Sequence, residues 1–248
     1  SDYVMITLDV LEKYGVKIEY THDETHWSFK IRGNQSYKFK LIPPEGDWSN
    51  AAFLLALGAL GKAPLRVQNL PLPSKQGDAR ILDLLKAFGV TLNCYEDIVD
   101  SLSGTVDVFP CRKLTAIPNI DASEFPDLVP IISLVASISN GTTVIYNAER
   151  LRYKESDRLA STCRVLKALG ANITETEDKL IIVGTKKLHG AYEGDGYGDH
   201  RIIMMLAVSS LVTAGTVKIH EASAASKSFP NFFEVLHKLG LDGNIELV

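Results

Sequence analysis

An internal repeat constrains this chain more than any other feature. Four stretches join a leucine seam to a glycine stop: Leu11-Glu-Lys-Tyr-Gly15, Leu85-Lys-Ala-Phe-Gly89, Leu166-Lys-Ala-Leu-Gly170 and Leu236-His-Lys-Leu-Gly240. Glycine just past an apolar-periodic run is the signature of a helix end. A second, more apolar helix type alternates with the first and follows an acid: Asp47-Trp-Ser-Asn-Ala-Ala-Phe, Asp127-Leu-Val-Pro-Ile-Ile and Asp199-His-Arg-Ile-Ile-Met. Each of these runs toward a glycine (Gly61, Gly141, Gly215) and then into a short strand, at 65–67, 142–145 and 216–219. β-rich pairs follow Gly15, Gly89 and Gly170, as at 172–176 and 179–183 around Glu177-Asp178. The unit is helix, strand, helix, strand, strand, roughly 75–80 residues long and present in nearly three copies. Helices as apolar as 51–60 and 202–211 have almost no polar face, so they are predicted to lie buried among α/β sheets.

The first 42 residues break the pattern. They hold one helix and up to three strands, the tail of a unit whose front half is absent. Pro43-Pro44-Glu45-Gly46 reads as a turn and a domain junction. The expected division is a remnant of a preceding domain over 1–45 and one nearly complete domain over 46–248. Ser1 falls inside an apparent helix with no initiator Met, so the natural chain is expected to begin further upstream. The 248 residues are 46% hydrophobic and 23% charged, the balance of a soluble globular protein. A net charge of −4 argues against nucleic-acid binding driven by bulk charge. No apolar run is long enough to span a bilayer and no signal peptide is visible, so no membrane partner is expected. Three cysteines without metal-ligand spacing suit a reducing compartment, which predicts a cytoplasmic protein.

Reactive side chains collect where helices begin. Lys154-Glu-Ser-Asp-Arg158 reads as a first helical turn, with Lys154, Asp157 and Arg158 on one side. Cations do not belong at the positive end of a helix dipole unless an anion joins them. A capped surface helix with exposed ion pairs is the bland alternative. His200 and Arg201 follow the cap Asp199, and Lys227 precedes the last helix within Ser226-Lys-Ser-Phe-Pro230. Asp127 follows Pro126, which presets a helix start; a structural cap accounts for it, and a general base there would need an apolar pocket to raise its pKa. Asp78 in Gln76-Gly-Asp78 reads as a cap. The glycine-rich 193–198 has no dinucleotide fingerprint. Repetition puts equivalent helix ends on one side of a domain, so Lys154, Arg158, Arg201 and Lys227 are expected to form one site for an anionic small molecule. Phosphate loops, paired metal-ligand histidines and Gly-x-Ser-x-Gly elbows are all missing from the sequence.

Leu151-Arg-Tyr-Lys-Glu-Ser-Asp-Arg158, Gly198-Asp-His-Arg201, Ser226-Lys-Ser-Phe-Pro230 and Glu45-Gly-Asp-Trp-Ser49 with Gln76-Gly-Asp78 together resemble the 5-enolpyruvylshikimate-3-phosphate (EPSP) synthase family. The resemblance runs from Tyr3 to about Leu239. It implies two similar domains of βαβαββ units, no metal or organic cofactor, and a monomeric full-length enzyme. The implied reaction moves the enolpyruvyl group of phosphoenolpyruvate to the 5-hydroxyl of shikimate 3-phosphate and releases phosphate. By the same resemblance, Arg158, Arg201 and Lys227 grip phosphoenolpyruvate with His200 beside them. Glu155 handles the proton at the transferring carbon, Asp127 is the base for the 5-hydroxyl, Lys154 meets the shikimate hydroxyls and Tyr3 the shikimate phosphate side. Arg150 stands where the family often has Asn. The family's N-terminal Lys, Arg, Ser and Gln ligands have no counterpart, so this chain alone is expected to be inactive. Two alternatives are the related transferase acting on UDP-N-acetylglucosamine and a non-catalytic anion-binding repeat module.

Overall fold

The computed structural model describes residues 2–23, 25–42, 44–96 and 103–240. Helix α1 (Asp2–Lys13) leads into a hairpin of β1 (Ile18–His22) and β2 (Trp27–Ile31). Then come α2 (Trp48–Leu60), β3 (Leu65–Leu70), α3 (Ile81–Ala87), β4 (Leu92–Glu96) and β5 (Gly104–Val108). A second run holds β6 (Asn119–Asp121), α4 (Val129–Ser137), β7 (Thr142–Tyr146), α5 (Arg158–Ala168), β8 (Asn172–Glu175) and β9 (Leu180–Val183). A third holds β10 (Tyr192–Asp195), α6 (His200–Ser209), β11 (Val217–His220) and α7 (Phe232–Lys238). The repeat is present and carries an extra leading strand. β6 and β10 precede the apolar helices and pair in parallel with β7 and β11, which makes βαβ crossovers. The second run is therefore a full βαβαββ unit, with strand order β6-β7-β9-β8.

The apolar helices form the centre, as their composition predicts. Every residue of α4 and of α6 is buried, as are nine of the thirteen in α2. The three pack against one another and outward onto the strands. Full burial of each large aliphatic side chain, such as Ile131, Leu134 or Ile202, contributes about 1.5–3 kcal/mol. The glycine-stopped helices α3, α5 and α7 cover the outside with amphipathic faces. Gly89, Gly170 and Gly240 all adopt positive φ beyond their helices. No helix among the described residues is long and apolar enough to cross a membrane.

The beginning of the chain holds one helix and, among its described residues, two of up to three expected strands, with no strand at 36–42. Tyr37, Phe39 and Leu41 alternate there as a strand would, but stand 72%, 96% and 87% exposed. A strand needs a neighbouring ladder, and none lies alongside among the described residues. Of the anticipated turn at 43–46, Pro43 lies outside the described residues, as does 241–248 of the second expected domain. Glu45 ties the junction back to α1 by accepting from Lys13 Nζ at 3.1 Å.

Candidate active site

The N-terminal ends of the buried helices lie close together, and their capping explains which polar residues are held there. Asp199 caps α6, accepting from the Arg201 amide at 2.9 Å, and Asp47 caps α2 through the Ser49 amide at 2.8 Å. Asp127 does not cap anything. It lies in a 3₁₀ turn over Pro126–Leu128 ahead of α4, which frees its carboxylate to turn outward. Asp78 is likewise no cap; its carboxylate accepts a short hydrogen bond from Ser49 Oγ and is buried.

Lys154 is not in the first turn of a helix. A 3₁₀ turn ends at Tyr153, Lys154 is extended, and α5 begins only at Arg158, because Asp157 caps it by accepting from the Ala160 amide at 3.0 Å. Helical spacing therefore does not bring Lys154 beside Arg158. A shared partner does: Asp127 Oδ1 accepts from Arg158 Nη1 at 2.7 Å and lies 3.1 Å from Lys154 Nζ.

Arg158 is the centre of the site. It is 1% exposed, and its guanidinium meets three carboxylates. Asp199 takes Nε at 2.8 Å and Nη2 at 3.1 Å, Asp127 takes Nη1, and Glu155 accepts from Nη2 in a short contact. Of five N–H donors, one on Nη1 remains uncommitted among the described residues. Arg201 is the reverse case. Its Nη2 lies 3.5 Å from Asp127 Oδ2 and its guanidinium 5.9 Å from the centre of the Phe53 ring, while Nε and Nη1 are buried without a partner. Buried, unpaired N–H groups carry a large desolvation cost and mark a place prepared for an acceptor. His200 Nδ1 sits 3.7 Å from Glu155 Oε1 and has no hydrogen-bond partner. Lys227 Nζ donates to the Gly198 carbonyl at 2.8 Å, next to Asp199.

Burial and charge set the ionisation here. Burial acts to raise Asp127, but Arg201, Arg158 and Lys154 outweigh it and hold the carboxyl below its ordinary range. Burial likewise opposes ionisation of Asp199, and the Arg158 and Arg201 hydrogen bonds overcome it. Burial and the nearby Arg201 push His200 down, so it is neutral at pH 7. Tyr3, on the first turn of α1, is pushed up to about 12 by burial and by the charges of Asp127 and Asp78. Its hydroxyl therefore stays a donor over this site. Arg150 belongs to the same field through Tyr3.

Asp78 lacks a cation of its own, and burial pushes it up to about 6 against the opposing Ser49 hydrogen bond. A carboxyl raised in the folded state contributes stability while protonated and loses it as pH climbs from about 4 through 6. Asp78→Asn keeps the hydrogen bond and removes the ionisable group. The variant is expected to be more stable than wild type by about 2 kcal/mol at pH 8 and indistinguishable near pH 4. Denaturant unfolding at the two pH values measures this.

The glycine-rich loop before Asp199 is built for shape. A Cβ on Gly196 would stand 2.1 Å from Ile203 Cγ1, and Gly198 has φ +62°. The loop thus folds flat against α6 and turns sharply into its cap. Glu155, Asp199 and His200 bring three donor atoms within 4.8 Å of one another, the kind of grouping that can hold a metal ion. Both Asp199 oxygens, however, are already engaged by Arg158, Ser156 and the Arg201 amide, so a cation would compete with a buried guanidinium. The donor set does not fit a resident metal. The sequence anticipated Asp127, Lys154, Glu155, Arg158, His200 and Arg201, and the structure brings these six together. It missed Asp199 and Asp78 as anything beyond caps.

The architecture is that of the enolpyruvyl transferases. The enolpyruvyl transferase NikO from Streptomyces tendae shares the fold, with a TM-score of 0.71 at 22% identity over 96% of this chain and 52% of that one. An EPSP synthase from Acinetobacter baumannii aligns with a TM-score of 0.77 at 25% identity over 92% of this chain and 52% of that one. Among curated relatives, the 3-phosphoshikimate 1-carboxyvinyltransferase of Clostridium acetobutylicum is 42% identical over 97% of this chain and 52% of its own length. That of Methanococcus maripaludis is 37% identical over 99% and 55%. The family model for EPSP synthase (3-phosphoshikimate 1-carboxyvinyltransferase) matches residues 1–236. The chain belongs to the EPSP synthase family. It spans about half the length of the curated relatives it matches.

Proposed function

We propose that this chain carries one side of an active site that transfers the enolpyruvyl group of phosphoenolpyruvate to the 5-hydroxyl of shikimate 3-phosphate, releasing phosphate. The observation that carries the reading is the pair of buried, unpartnered donors on Arg201, beside two carboxylates held in different surroundings. Arg201, with Lys227 and the free donor of Arg158, receives the phosphoenolpyruvate anion. Arg158 mainly holds Asp127, Glu155 and Asp199 in register. Lys154 and Tyr3 face the shikimate phosphate acceptor. Glu155, with neutral His200 beside it, serves the proton at the methylene carbon, and Asp127 serves the 5-hydroxyl. Phosphate departure is eased by the surrounding cations. Residues 1–45 act as the tail of a first domain and 46–248 as the second; the full-length protein works in the cytoplasm as a monomer, without a cofactor.

Phosphate release by the full-length protein tests this. It is expected with phosphoenolpyruvate and shikimate 3-phosphate together, and not with UDP-N-acetylglucosamine as acceptor. Arg201→Ala should raise the KM for phosphoenolpyruvate about 10–100-fold, the loss of one or two hydrogen bonds to a charged group. Release with the wrong acceptor, or an unchanged KM, would refute the assignment.

A further inference from the structure

We infer that Arg152 and Asp157 form a clasp that positions the loop bearing Lys154 and Glu155. This rests on the function proposed above, and both are positioning residues, because among the described residues neither side chain makes a hydrogen bond or ion pair with the side chains of Asp127, Arg158 or Arg201. The three residues between Tyr153 and Asp157 belong to no helix or strand. They must nonetheless hold Lys154 Nζ at 3.1 Å from Asp127 and Glu155 against Arg158. Arg152 closes that loop at its base. Its Nη1 donates to Asp157 Oδ2 at 2.8 Å, joining the last 3₁₀ turn to the cap of α5.

The other donors of the same guanidinium reach across to the tip of the β8–β9 hairpin. Nε donates to the Glu177 carbonyl at 2.8 Å and Nη2 to the Thr176 carbonyl at 2.5 Å, with Glu175 Oε2 3.5 Å away. The loop is thus tied at both ends to one planar fork, and the fork is tied to the sheet. Asp157 completes the device from the other side, since its second oxygen caps α5 at Ala160. Only a guanidinium meets a carboxylate and two carbonyls in one plane; an ammonium offers a point charge. Arg152 is a quarter exposed and Asp157 more so, so solvent screens their attraction and the ion pair adds little to stability. Its consequence is geometric, and misplacement by about 1 Å can cost a hundredfold in rate.

Asp157→Asn separates the two roles of that residue, because Asn caps a helix as well as Asp does but cannot form the ion pair. In the full-length protein, Asp157→Asn and Arg152→Lys are each expected to lower kcat about 10–100-fold, with both KM values within about threefold. Melting temperature should stay within about 2 °C, and amide exchange at 154–156 should quicken while the middle of α5 is unaffected. The double variant should be no slower than the worse single, as for two halves of one device. Unchanged kcat and unchanged exchange in Asp157→Asn would overturn the clasp. So would a fall in melting temperature that accounts for the lost activity. Glu155→Gln run alongside separates this inference from the function: if it is silent the assignment of Glu155 fails, and the exchange data alone decide the clasp.

Discussion

Replacing Arg158 with Met is expected to destabilise the protein by about 3–5 kcal/mol at pH 7, because it strands buried carboxylates rather than emptying a cavity. Met fills most of the volume, so packing loss is a minor part. Asp199 is fully buried and would keep only Ser156 and the Arg201 amide; Asp127 would keep Lys154 and Arg201. The pH dependence identifies the cause. In the wild type both acids are held below their ordinary range, so their contribution is complete above about pH 4 and is lost only as pH falls further. Without Arg158, burial of Asp199 is no longer offset and its folded-state pKa rises. The variant then loses stability as pH climbs through that raised value. The gap between the two proteins should therefore be wide at pH 7.5 and narrow at pH 4.5. Denaturant unfolding at both values measures it, and an equal gap would mean that packing, not charge, is what Arg158 supplies. Arg158→Lys should recover only part of the loss, since the three donors of a compact ammonium cannot reproduce the four hydrogen bonds of the guanidinium fork.

What could be read in the sequence follows from how far each signal reaches along the chain. Glycine stops and apolar periodicity are local, so α2, α3, α4, α5, α6 and α7 were all legible. β6 and β10 were not: Asn119–Asp121 and Tyr192–Asp195 are three and four residues of mostly polar composition. They are strands only because a parallel neighbour supplies the ladder. Tyr37, Phe39 and Leu41 are the opposite case, an alternation of exposed side chains without a strand. Lys154-Glu155 looked helical because they lead directly into the apolar periodicity of α5, yet Asp157 caps that helix and starts it later. Asp199 and Asp78 satisfied a local explanation as caps, and nothing nearby hinted at more. The partner of Asp199 is 41 positions away on another helix, and that of Asp78 is 29 away. Long-range ion pairing is the part of a site that spacing does not reveal. Arg158, His200 and Arg201 drew notice as cationic side chains at helix starts, and the role of Glu155 came from the family resemblance.

Asp127→Asn in the full-length protein should lower kcat by about 10²–10⁴-fold while changing either KM less than about tenfold, and Glu155→Gln should behave alike. A lowered pKa makes Asp127 a poor base in the empty site, which at first sight opposes the role. The cause of the lowering resolves this. Arg201, Arg158 and Lys154 depress it, and these are the cations that a polyanionic substrate pair would neutralise. Once their charge is offset, burial is left as the dominant influence, and burial raises a carboxyl. On the proposed function, the base is expected to become strong enough only when both substrates are present, which would couple proton abstraction to occupancy. The acidic limb of kcat, which reports the loaded enzyme, should accordingly lie at higher pH than the acidic limb of kcat/KM for the free enzyme. For Asp127→Asn the limb should disappear from the kcat profile. Coincident limbs in the wild type, or a variant that retains the limb, would remove Asp127 as the base and leave it a holder of Lys154 and Arg158.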